Sequence, residues 1–411
     1  MGFIYNTGIG LVGFSLKCIA PFNEKIKSGV LGRAKTFKIL QDTLKPIDKT
    51  FWFHCASLGE YEQGLPVFKV LRNHYKNHKI VLSFFSPSGY EIRKNSPVAD
   101  VVVYLPLDTK HHAKRFLDIV NPELTIFVKY EIWPHFLHEL KQRRLKAILI
   151  SASFRQNQSF FKFYGKPLRD ALFAFEYIFT QNEASKKLLE SINYTNVSVS
   201  GDTRFDRVFS QLEQDNHLDF IEKFKHGNLC VVAGSTWPVD EALLINFINS
   251  EVSKDVKFII APHNMKVNQL KNIQKNLRVN SVLFSEKDTT DLQKAQVFII
   301  DTIGILSKIY SYGDIAYVGG AMGTTGLHNT LEPAVFGVPI IIGSNHSKFP
   351  EAQEMIDNGG MFSVSNQTEF DVILTDLIQN TEKRTVSGTS NLEFIMKNKG
   401  AVTKIIRYLE L

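Results

Sequence analysis

The sequence predicts an α/β protein made of two tandem βα domains, each around a parallel sheet, with a ligand cleft between them. An apolar, membrane-associated helix is expected ahead of the first. Three observations carry this. Short apolar strands alternate with segments of helical length along almost the whole chain, the pattern of parallel sheets covered on both faces. The 411 residues exceed one ordinary core. The strands run into polar turns, where open α/β sheets hold their ligands.

Residues 1–30 open the chain. The first stretch, MGFIYNTGIGLVGFSLKCIA, carries Lys17 as its one charge. It sits near the roughly 20 apolar residues a spanning helix needs, and it lacks the basic start of a secretory signal. Lys25, Lys27, Arg33, Lys35 and Lys38 follow. An apolar segment with basic residues behind it suits an anchor on an anionic, cytoplasmic membrane face. Spanning, lying on the surface and packing as an ordinary first helix all remain open at this stage.

Residues 31–210 form the first βα series. Strands are expected at Phe51–His54, Lys79–Phe85, Val101–Tyr104, Leu124–Lys129, Ala147–Ser151, Tyr177–Gln181 and Val197–Ser200. Residues 211–228 are polar and read as a linker, with helix possible at Leu218–Lys225. Residues 229–392 hold the second series, with strands at Leu229–Ala233, Phe258–Ala261, Ser281–Phe284, Val297–Ile300, Ile315–Val318 and Val338–Ile342. Residues 393–411 include a helix at Glu393–Leu409, with packing back on the first domain left open by the sequence.

Hydrophobic residues make up 44% and charged residues 22%, a folded composition. The net charge of +7 suits an anionic partner. Nucleic acid is disfavoured, because no nucleic-acid-binding motif accompanies the charge. Cys18, Cys55 and Cys230 are dispersed and form no CxxC, so neither a zinc knuckle nor a disulfide framework is indicated. P-loop, GxSxG and HExxH signatures are absent.

The richest stretch is Asp314–Pro350. A strand enters Gly319-Gly320, then a loop with Gly323 and Gly326, then His328-Asn329 and a helical run with Glu332 in its first turn. Strand, glycine loop and helix N-terminus build anion sites. Glu332 suits a ribose diol. Ser235 and Thr236 at one strand end, where either can cap the next helix, His263 at another and Asp301-Thr302 at a third surround the same domain end. In the first domain, Ser57, Gly59 and Glu60 mark the mouth of the first strand. Glu60 suits a general base, and equally a helix-start carboxylate that satisfies the dipole. Ser86, Ser88 and Gly89 form a similar turn, with or without a ligand. No acidic pair is placed to bridge a diphosphate through a metal, so metal-free chemistry without a cofactor is expected.

GGAMGTTGLHNTLEPAVFGVPIIIG resembles the signature of 3-deoxy-D-manno-octulosonic acid (Kdo) transferases, which have the GT-B glycosyltransferase fold of two Rossmann-like domains. SLGE, EIWP at Glu131–Pro134, SASF, TQNEAS, SGDTRFDRV and AGSTWPVDE fall in the family's order. The resemblance implies inverting transfer of Kdo from CMP-Kdo to a lipid A precursor at the cytoplasmic face of the inner membrane. It implies Glu60 as base, Glu131 on the acceptor side, and Ser235, Thr236, His263, Gly319, Gly320, Gly326, His328, Asn329 and Glu332 around the donor. The pattern departs in places. APHNMK lacks an arginine beside His263, Ile305 stands in an acidic position, HNTLEP replaces HNPLEP, and Lys129 replaces an acid. The rival readings are another GT-B nucleotide-sugar transferase or epimerase, and a non-catalytic, membrane-associated sugar-nucleotide-binding protein, for which Glu60 is dispensable.

Overall fold

The computed structural model describes residues 3–410. The chain forms two compact units, Met1–Arg207 with Lys399–Leu411, and Val208–Asn398.

The first unit is built on β1 (Thr50–Cys55), β2 (Lys79–Phe84), β3 (Val101–Tyr104), β4 (Pro122–Val128), β5 (Lys146–Ala152), β6 (Tyr177–Thr180) and β7 (Val197–Val199). Their order is β3-β2-β1-β4-β5-β6-β7, and every pair is parallel. Phe53 lies in register between Leu82 and Ile126. Side chains alternate across the pleat: Trp52 joins Val81 and Phe127 on one face, Phe53 joins Leu82 and Ile126 on the other. Both faces are therefore cores, and the strands read as continuous apolar runs. The central β1 lies between β2 and β4, where the direction of winding reverses, so its C-terminal end is the ligand-binding position of such a sheet.

The first helix, Phe3–Ile19, has 17 residues, about 26 Å at ~1.5 Å per residue. No helix among the described residues is long and apolar enough to cross a membrane. The first two residues of the expected anchor lie outside the described residues. The helix is tied to its own unit by polar contacts. The Tyr5 hydroxyl donates to Asp108 Oδ2 at 2.6 Å, and Asn6 Oδ1 lies 2.7 Å from His135 Nε2. Leu11, Val12 and Phe14 of this helix are exposed. A second helix, Glu24–Thr43, follows; the basic composition of that stretch hid it. Asn23 Oδ1 caps it by accepting from Lys25 and Ile26 N–H at 3.0 and 3.2 Å. Gly32 lets it lie close to β3, since a Cβ there would meet the Tyr104 ring at 2.3 Å.

The second unit holds β8 (Leu229–Thr236), β9 (Val256–Pro262), β10 (Ser281–Leu283), β11 (Val297–Ile299), β12 (Ile315–Val318), β13 (Ile340–Gly343) and β14 (Met361–Val364). The order is β10-β11-β9-β8-β12-β13-β14, again wholly parallel. Here β8 sits between β9 and β12 at the reversal. The edge strand β14 was not anticipated; its four residues are framed by Gly359-Gly360 and Ser365-Asn366, which read as loop.

Two expected boundaries move. Residues 211–228 are not a free linker. Helix Asp219–Lys225 packs into the second unit, with Phe224 on Phe298 at 5.3 Å between centroids and Lys225 Nζ 2.8 Å from Asp314 Oδ2. The helix expected at Glu393–Leu409 is two helices, Thr381–Asn398 and Ala401–Tyr408. They part at Gly400, whose φ of 109° ends helical geometry. Asp206 then accepts from the Gly400 and Ala401 N–H groups at 2.9 and 3.1 Å. Ile405 joins the core of the first unit.

Candidate active site

At the end of β1 the chain turns through Ala56 and Ser57 into helix Leu58–His74. Ser57-x-x-Glu60 is a capping box, so the modest reading of Glu60 is structurally real. Glu60 Oε2 accepts from Ala56 N–H at 2.5 Å and from Ser57 N–H at 3.2 Å. No described residue donates to Oε1. The residue is 6% exposed. Burial and the neighbouring Glu131 carboxylate push its pKa up to about 7, against the opposing pull of the Ala56 N–H, Lys129 and the Ser57 N–H. A capping carboxylate on the surface has no reason to rise. This one is buried beside another acid, so it is held between protonated and ionised forms near neutrality.

Glu131 is oriented by Trp133, whose Nε1 donates to its Oε2 at 3.0 Å. Its other neighbour is His54 on β1, with Nε2 3.8 Å from that oxygen and otherwise unpartnered. His54 is fully buried, and its Nδ1 lies 2.9 Å from Ser83 Oγ, which also accepts from Trp52 Nε1 at 2.8 Å. Lys129, just past β4, adopts a left-handed backbone with φ 71°. The structure thus brings Glu60, Glu131, His54 and Lys129 together, while sequence singled out only the first two as site residues. The missing signal was register, which places His54 beside Ser83 on β2.

The other residues anticipated here divide. At Gly59 a Cβ would meet nothing within 4 Å, so packing does not require glycine there. At Gly89 a Cβ would meet Phe84 at 2.5 Å and Leu58 N at 3.1 Å, so that glycine serves helix packing. Ser88 pairs locally with Ser86, Oγ to Oγ at 2.8 Å.

In the second unit β8 ends in a bulge at Ser235, whose φ is 54°. A serine held in the left-handed region costs of order 1 kcal/mol, a strain typical of functional turns. Neither Ser235 nor Thr236 caps the next helix. Trp237 occupies that position, and Asp240 accepts from its N–H at 2.9 Å. Thr236 is buried and donates to Glu241 Oε1 at 3.2 Å. Asp240, fully buried, also accepts from Gly320 N–H at 2.9 Å and the Tyr317 hydroxyl at 2.6 Å. It ties the end of β8 to the glycine loop that follows β12.

That loop corrects the sequence reading in two ways. Its helix is a single turn, Leu331–Ala334, because Gly337 interrupts the run with φ 68°. A long helix dipole is not what faces a ligand here. The N–H groups of Gly319 and Gly320 are also occupied, by Gly234 O at 3.0 Å and by Asp240. Both glycines are needed for close approach: a Cβ on Gly319 would sit 2.4 Å from Ser235 O, and one on Gly320 2.1 Å from Gly326 O. Gly326, with φ 98° and open space around it, remains available. Asn329 Nδ2 donates to Glu332 Oε1 at 3.0 Å, which fixes that carboxylate beside the loop.

His263, His328 and Trp237 form one ring cluster. Trp237 stacks on His263 at 4.6 Å between centroids, and His263 lies 4.5 Å from His328. Trp237 Nε1 donates to His328 Nε2 at 3.1 Å, so the proton of the neutral imidazole is on Nδ1. Burial and the neighbouring His263 push the His328 pKa down to about 4. NMR titration should therefore show His328 neutral and Nδ1-protonated from pH 5 to 8, with its midpoint near 4; a midpoint near the ordinary histidine value, about 6.5, contradicts the geometry.

Two wholly parallel sheets in tandem, with polar turns at the ends of their central strands, define the GT-B class. A solved UDP-GlcNAc 2-epimerase from Neisseria meningitidis, bound to UDP-GlcNAc, has the same fold; the TM-score is 0.61 at 15% identity, covering 88% of this chain and 99% of that one. Residues 31–207 match the family described as 3-deoxy-D-manno-octulosonic-acid transferase (kdotransferase). The Kdo transferase of Haemophilus influenzae is 26% identical over 380 residues, 89% of this chain and 87% of that protein. That of Aquifex aeolicus is 27% identical over 343 residues, 82% and 88% of the two chains. The chain thus carries a Kdo transferase family domain in its first unit and is similar to Kdo transferases over most of its length; it is a glycosyltransferase.

Proposed function

We propose that the protein transfers Kdo from CMP-Kdo to a hydroxyl of a lipid A precursor, with inversion and without a metal or organic cofactor. The observation that carries this is Glu60, a buried carboxylate raised to about 7 at the end of the central strand. In the reaction the acceptor oxygen forms a bond to the anomeric carbon of Kdo. The bond from that carbon to the phosphate oxygen breaks, and its electron pair leaves with CMP. Glu60 takes the hydroxyl proton as its oxygen attacks. Glu131 raises the basicity of that carboxylate, and the Ala56 and Ser57 N–H groups hold it in place. The second unit holds the nucleotide. Free N–H groups of the loop after Gly320 and the Trp237–His263–His328 cluster meet the phosphate, and Glu332 takes the ribose. Preorganised N–H donors stabilise charge as it develops on the leaving group. The test is incubation with CMP-Kdo and tetra-acylated lipid A precursor. CMP release with glycosylated product is expected; intact protein that gives neither would sink the proposal.

The same reading places the protein on the cytoplasmic face of the inner membrane, lying on it rather than spanning it. Leu11, Phe14 and Phe22 are 62, 68 and 90% exposed, with Lys25 and Lys27 close behind. Apolar surface beside basic residues suits an interface with anionic lipid. Phe14→Glu with Phe22→Glu should move the protein from the pellet to the supernatant with anionic vesicles. Unchanged pelleting would count against this surface.

A further inference from the structure

The first unit contains a cavity of about 370 Å³, lined by the first two helices and the segment after β3, that no step of the proposed reaction uses. Leu16, Phe37 and Leu107 give it apolar walls, and Lys17, Arg33 and Arg115 add three cations; no acidic side chain lines it. None of the three cations forms an ion pair with a described residue, although ion pairs are common elsewhere in the unit. Arg115 packs its guanidinium 4.2 Å from the centre of the Phe37 ring. Arg33 donates through Nη2 to Phe85 O, and its buried Nε has no partner. Lys17 and Arg115 are exposed at its mouth and Arg33 is half-buried, so three positive charges with no paired acid sit beside apolar walls, an arrangement that favours an anion. The apolar walls make a bare inorganic anion a poor fit, and they suit an amphiphile.

We propose that this cavity binds one anionic glycerophospholipid, with its phosphate among Lys17, Arg33 and Arg115 and an acyl chain along Leu16, Phe37 and Leu107. The proposal rests on the membrane reading only for the source of the lipid, since exposed Leu11 and Phe14 lie on the same helix as Leu16 and Lys17. It turns a general surface attraction into a site of defined stoichiometry.

The test needs no membrane. Dioctanoyl phosphatidylglycerol, kept below its micelle concentration, is titrated into the full chain by calorimetry and native mass spectrometry. One lipid per chain is expected. Dioctanoyl phosphatidylcholine should bind at least about tenfold more weakly, and so should phosphatidylglycerol to the Lys17→Gln, Arg115→Gln double variant. Ala34→Trp, which fills the cavity and leaves its charges, should abolish binding with circular dichroism unchanged. Absence of saturable binding, equal binding of the two lipids, or wild-type binding by the double variant would overturn the proposal. Inorganic phosphate competing on equal terms would reject a lipid in favour of a phosphate site. Vesicle pelleting with the Phe14 and Phe22 variants reports on the membrane reading separately.

Discussion

Glu60→Gln should lower kcat/KM by about 10²- to 10⁴-fold, the usual contribution of a positioned general base. The same substitution should leave the fold intact, because the Gln carbonyl oxygen can still accept from the Ala56 and Ser57 N–H groups that hold the carboxylate. Two further measurements separate catalysis from capping. The base works only when ionised, and its pKa is raised to about 7. The wild-type rate should therefore climb from pH 6 to pH 8 with a midpoint near 7. Glu131→Gln removes the negative neighbour and should shift that midpoint downward.

Stability should move the other way. A carboxylate whose folded pKa lies above its unfolded value binds more protons when folded. It therefore weakens the fold progressively as pH rises from the unfolded to the folded value, here from 4.5 to about 7. At about 1.4 kcal/mol per unit the cost at pH 8 is on the order of 3 kcal/mol. Glu60→Gln should accordingly be more heat-stable than wild type at pH 8, with the difference shrinking towards pH 4.5. A variant that is both inactive and less stable at pH 8 would show the carboxylate to be mainly a cap. Strain kept for function and released by mutation is the expected trade-off at an active site.

Most of the architecture was legible because parallel strands buried on both faces leave an unbroken apolar signature, as in KIVLSF and LTIFV. What escaped lacked that signature. The edge strand Met361–Val364 is short, and only its two end residues are buried. Helix Glu24–Thr43 reads as basic coil, because only Gly29, Thr36, Phe37 and Leu40 of its length are fully buried. The candidate site was legible where a motif sits on one turn, as at Ser57–Glu60. It was illegible where it depends on register or on the interior. His54 matters through Ser83 on the adjacent strand and Glu131 beyond the next. Gly319 and Gly320 were expected to donate to a ligand, and the structure spends their N–H groups within the unit. The residue that takes the Gly320 N–H, Asp240, is indistinguishable in sequence from any acid in the first turn of a helix.

Asp240 is where the second large effect is expected. Its side chain, fully buried, accepts from the Trp237 N–H, the Gly320 N–H and the Tyr317 hydroxyl. Burial and this carboxylate hold the Tyr317 phenol far above its ordinary range, so the hydroxyl stays a donor at any working pH. Asp240→Ala strands three donors in a site too well packed to hydrate freely. At about 1–3 kcal/mol for each unsatisfied group, with incomplete additivity, the loss is about 3–5 kcal/mol. For a unit of this size that is on the order of 10 °C in the midpoint of thermal unfolding. Tyr317→Phe removes a donor and leaves the carboxylate two, so it should cost only about 1 kcal/mol. The functional consequence is sharper than the thermal one. Gly320 is held at φ 99°, where a Cβ would sit 2.1 Å from Gly326 O, and the Asp240 bond is what fixes its N–H there. Without it the loop that presents Gly326 and His328 loses its anchor, and CMP affinity should fall at least about tenfold, although Asp240 is walled off from any ligand. Calorimetric titration with CMP, at a temperature where the variant is folded, reads this directly. A second unit that is destabilised as expected and still binds CMP with wild-type affinity would take the glycine loop out of the donor site.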